Sequence, residues 1–67
     1  MNAKELRAIM VLNGDTYSDL ANALGISEAS LGNKINEKGT EFKQGEIARI
    51  KDRYSLTPEQ VESIFFA

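Results

Sequence analysis

Apolar residues recur along this chain at helical spacing. Leu6, Ile9 and Met10 mark one face of a first helix. Asn2 with Glu5 three residues on forms a capping-box-like start, and Asn13-Gly14 the stop. Thr16 with Asp19 opens a second helix whose inward positions are Leu20, Ala21 and Leu24. Gly25 supplies the left-handed cap that a bulkier residue resists. Ser27 caps a third helix, where Leu31 and Ile35 sit one turn apart. A polar segment, 36–43, follows, and Phe42 near its end is placed to plug the core from the loop. Ile47, Ile50 and Tyr54 trace a fourth helix. In the next stretch Thr57 is an N-cap, Pro58 the first helical position and Gln60 the closing member of a capping box. Val61, Ile64 and Phe65 form the stripe of a fifth helix. No run alternates apolar and polar residues for long enough to make a strand. The pattern predicts an all-α, compact five-helix domain over residues 1–67, without repeat or linker.

Composition narrows the chemistry. The 67 residues suffice for one small domain, and the short length with the initiating methionine points to a whole chain. With no cysteine and no histidine, disulfides, zinc sites and nearly all histidine acid–base mechanisms are excluded, and no cofactor is expected. No apolar run approaches the ~20 residues that span a bilayer. Lys4, Glu5 and Arg7 interrupt any signal-peptide pattern, so a cytoplasmic protein is expected, with no membrane partner.

The formal net charge of −2 at first argues against nucleic acid. Its distribution softens that. Residues 1–33 carry two basic groups against four acidic ones, and residues 34–53 carry six basic against four acidic. Attraction to phosphate would therefore have to be local. Arg49, Lys51 and Arg53, partly balanced by Asp52, are expected to do no more than solvate the outer face of the fourth helix.

The stretch from Thr16 to Leu31, "TYSDLANALGISEASL", has the economy of two helices joined by a tight glycine-containing turn. It resembles the lambda-repressor/Cro-like helix-turn-helix family, especially short phage or prophage regulators. The shared residues are Thr16, Asp19, Leu20, Ala21, Leu24, Gly25, Ile26, Ser27, Ser30 and Leu31, with weaker support from Asn33 to Asn36 and Leu56 to Phe66. The resemblance implies a helix-turn-helix at about 16–35 whose third helix, from Glu28 to about Ile35, enters the major groove of a DNA operator.

If Leu31 and Ile35 point inward, Asn33 points almost directly outward, with Ala29 and Asn36 on the same face and Ser30 and Gly32 on its flanks. Carried over position by position, Glu28, Ala29 and Asn33 become the base readers, and Gly32 joins them by permitting close approach. Asn33 can bond the N6 and N7 edge of adenine, Glu28 can accept from cytosine N4, and Ala29 can pack on a thymine methyl. Each also fits a plainer role: a solvated amide, a charge suited to a helix N-terminus, an exposed alanine. Glycine inside a helix costs roughly 1 kcal/mol against alanine, which leaves Gly32 to be explained either by approach to DNA or by a helix that tolerates it.

Expected phosphate contacts are Thr16, Tyr17, Ser18, Ser30, Lys34, Lys38 and Lys43. Tyr17 stands where the family often has glutamine; its ring could instead pack on the first helix. Lys34 replaces an apolar residue of many relatives, with Ile35 taking over its packing. Lys43 stands where the family often has a capping Thr or Ser, so either Thr40 caps from further back or the position serves phosphate.

A protein-interaction module, such as an antirepressor or antitoxin gripping a repressor or toxin partner, is the rival reading. Net acidity and the small residues Ala29 and Gly32 fit it. Phe66 falls off the buried stripe, and either tucks against the first helix or joins a homodimer contact of the kind a two-fold DNA reader uses. An enzyme is not expected. Ser30 and Lys34 lie at i,i+4, but no orienting group or oxyanion site accompanies them.

Overall fold

The computed structural model describes residues 1–66. Its elements are α1 (Ala3–Leu12), α2 (Tyr17–Leu24), α3 (Glu28–Ile35), α4 (Gln44–Tyr54) and α5 (Pro58–Val61), which runs into a π-helical turn, Glu62–Phe66. Among the described residues there is no strand, and no helix is long and apolar enough to cross a membrane.

Local capping explains most boundaries. Asn2 Oδ1 accepts from the Glu5 amide at 3.1 Å, but the reciprocal half of the expected box is absent, because the Asn2 amide donates instead to the Ile64 carbonyl at 2.6 Å. Thr16 and Asp19 cap α2 reciprocally, and Thr57 and Gln60 do the same for α5. Ser27 Oγ accepts from the Ser30 amide at 3.1 Å. Gly25 ends α2 at φ 71°, a left-handed conformation that an L side chain resists.

The core gathers Leu6 and Met10 of α1, Leu20, Ala21 and Leu24 of α2, Leu31 and Ile35 of α3, Ile50 of α4, Leu56 and Ile64. Ile9, Tyr17, Phe42, Tyr54, Val61 and Phe65 pack around it. Phe42 does close the core from the loop, meeting Phe65 edge to face with ring centroids 5.6 Å apart. The π-helical turn closes on α1: besides the Asn2–Ile64 bond, Ser63 Oγ donates to Glu5 Oε1 at 2.6 Å.

Two expectations about α4 are corrected. Arg53 grips Asp15 with two bonds, Nε to Oδ2 at 2.6 Å and Nη2 to Oδ1 at 2.9 Å, while the Tyr54 hydroxyl donates to the same carboxylate at 2.6 Å. Arg49 donates to the Leu24 carbonyl at 3.2 Å, satisfying an end group of α2. Both arginines thus tie α4 to the α1–α2–α3 region rather than only solvating a face.

Candidate nucleic-acid interface

The short turn Gly25-Ile26-Ser27 sets α3 against α2. Leu31 and Ile35 face the core, and the opposite side of α3 stays open. Ala29 and Asn33 are exposed there, Glu28 is exposed at the entry to α3, and none of these side chains bonds to the rest of the chain among the described residues. Ser30 is half-buried and Ser18 exposed.

Gly32 has no internal need to be glycine. A Cβ at this position would meet only Tyr17 Cε2, at 3.9 Å, an ordinary van der Waals contact. Tyr17 is half-buried; its ring joins the core's margin, and its hydroxyl accepts from Arg7 Nε at 3.2 Å. The ring therefore packs, as one of the two roles foreseen for Tyr17 has it, and its hydroxyl is tied to Arg7 of α1.

Lys34 departs from expectation. It is 6% exposed, with Nζ 3.0 Å from Glu46 Oε1 and 3.2 Å from the Glu41 carbonyl. An ammonium committed to a buried carboxylate is not free to neutralise phosphate, so Lys34 leaves the set of phosphate contacts. Glu46 also accepts from the Lys43 amide at 2.8 Å. That bond is the half of a capping box available when the cap residue is lysine, and Thr40 takes no part. Burial opposes ionisation of Glu46, but the Lys43 amide and the Lys34 ammonium outweigh it and hold the carboxyl below its ordinary 4.5.

Thr16 has no donor to spare, since its amide and hydroxyl both point to Asp19 Oδ2, at 2.9 and 3.0 Å. Lys38 and Lys43 are exposed, with side chains in no ion pair among the described residues. No cluster of three His, Cys, Asp or Glu side chains that could hold a metal ion occurs among those residues.

Phe66 does not tuck against α1. It is 62% exposed and borders a crevice of about 280 Å³ with Phe42, Ile47 and Phe65.

A family model described as "Protein of unknown function (DUF739)" matches residues 4–67. The chain belongs to that family. No curated protein and no solved structure matches it.

Sequence reading missed two residues of this DUF739 domain's α3 region. Arg7, in α1, donates from Nη2 to Asn36 Oδ1 at 2.8 Å, as well as to Tyr17. Glu46 holds Lys34. The Arg7 contacts, 10 and 29 residues apart in sequence, leave no local signal. Glu46 did carry one: it stands three residues after a cap position occupied by lysine.

Proposed function

We propose that this protein is a small sequence-specific DNA-binding regulator of the lambda-repressor/Cro-like helix-turn-helix kind, of phage or prophage type, with α3 as the reading helix. The observation that carries the reading is the open face of Ala29 and Asn33 opposite Leu31 and Ile35, with Glu28 exposed at the helix entry. A two-helix unit with a tight turn, a buried seam and an unoccupied outer face suits insertion into a groove about 12 Å wide. Asn33 offers a paired donor and acceptor to adenine, Glu28 an acceptor to cytosine, and Ala29 a methyl contact to thymine. Lys38 and Lys43, with Ser18 and Ser30, supply backbone contacts.

Selection of bound fragments from a random duplex pool tests this reading. It should return one enriched site, bound more weakly as salt rises. No enriched site, together with co-purification of a repressor or toxin protein, would replace it by the interaction-module reading. That second reading has its own support: Val11, Leu12 and Phe66 are 77%, 85% and 62% exposed.

A further inference from the structure

Arg7 stands at a junction of three helices. From α1 its Nε donates to the Tyr17 hydroxyl at the start of α2, and its Nη2 donates to Asn36 Oδ1 at the end of α3. Each bond occupies one acceptor lone pair. The Tyr17 oxygen accepts from Arg7, so its own O–H is left to donate. The Asn36 carbonyl oxygen is occupied, so its Nδ2 amide is left to donate. Arg7 Nη1 makes no bond among the described residues, and no carboxylate there pairs with the guanidinium. What the two bonds leave is one positive charge with an unused N–H, beside a hydroxyl and an amide that can each still donate. Such a set suits a tetrahedral oxyanion, which the guanidinium fork matches in geometry as well as charge.

We propose that Arg7, Tyr17 and Asn36 form a phosphoryl-anion site, filled by a phosphodiester of the duplex, with Arg7 as its charged centre. This rests on the DNA reading above and adds to it a contact from α1. It also gives Asn36 a backbone role, one turn along from the base-reading position of Asn33.

The test is fluorescence anisotropy with duplexes of random and selected sequence, between about 50 and 200 mM salt. Arg7→Ala should weaken binding to every sequence about tenfold, and should reduce the slope of log K against log salt by about one. Tyr17→Phe keeps the ring and removes a neutral donor, so affinity should fall severalfold with the slope unchanged. Thermal melts by circular dichroism check that each variant is folded; Tyr17→Phe keeps the test decisive should Arg7→Ala unfold.

Wild-type binding that both folded variants reproduce in affinity and slope overturns the site and leaves the DNA reading standing. If the wild type binds no duplex, the DNA reading fails on its own. A titration of 15N-labelled protein with inorganic pyrophosphate, read at Arg7 Nε–H, then decides the site. A saturable shift keeps the anion site with free phosphate as its source. No shift, or a shift only with a carboxylate-rich peptide, overturns it.

Discussion

Gly32 and Lys34 are two residues apart on α3 and behave in opposite ways. Gly32 has room for a side chain that it lacks, so Gly32→Ala should stabilise the fold by up to about 1 kcal/mol in urea melts. Under the DNA reading the same variant should bind the duplex more weakly, because the methyl stands where α3 approaches it. Greater stability without loss of binding would mean that the glycine is simply tolerated. Lys34 carries a charge into the interior. Lys34→Ala strands the Glu46 carboxylate and should cost about 3–5 kcal/mol, whereas Lys34→Met combined with Glu46→Leu should recover most of that in the same melts. Neither outcome was legible from the residue alone. A lysine next to an isoleucine reads as surface until its partner, twelve positions away on α4, is known. Asn33 is simpler. It is exposed, as helical spacing from Leu31 and Ile35 predicts, and its side chain is unbonded among the described residues, so Asn33→Ala should not lower the melting temperature and should raise it slightly through helix propensity. Under the DNA reading it should lower discrimination at one base pair by about 1–3 kcal/mol in binding competitions.

Element boundaries were the most legible part, because each cap is a short-range arrangement of two or three residues. Thr16 with Asp19, Ser27, and Thr57 with Gln60 all bond as their spacing implies. Leu31 likewise occupies the buried seam between α2 and α3, and Leu31→Ala should cost about 2–5 kcal/mol by chemical denaturation. The π-helical turn at Glu62–Phe66 was not legible: Val61, Ile64 and Phe65 fit an α-helical stripe equally well. Its partners lie at the other end of the chain, where the Asn2 amide and Glu5 carboxylate meet it. The capping box foreseen at Asn2 is half-formed for the same reason, since a long-range bond took the amide that a local rule would have used.

At the scale of the whole molecule, titratable groups bound the pH range of stability on both sides. Asp15 is held below its ordinary 3.8, chiefly by the Arg53 hydrogen bonds and then by Tyr54, and Glu46 also lies below its ordinary value. Carboxyls depressed by folding stabilise fully above their unfolded values and lose that contribution as pH falls through the folded ones. Tyr54 is shifted the other way, above its ordinary 10.0, by burial first and then by its bond to Asp15. Its contribution is present below that ordinary value and fades as pH rises through the folded one. Denaturation followed against pH should therefore show a plateau near neutrality, an acid limb beginning below about pH 5 and an alkaline limb beginning near pH 10. Asp15→Asn should flatten part of the acid limb.

Among the described residues the side chains of Glu28, Ala29 and Asn33 bond to nothing else, while the buried side of the helix is fixed by leucine and isoleucine. If α3 reads DNA, recognition and folding draw on separate residues of one eight-residue helix. Substitutions at those three positions can change the preferred target without endangering the architecture. A library randomised there should yield variants that nearly all fold and yet differ in what they select, a latitude open equally to an experimenter and to a lineage whose operators drift.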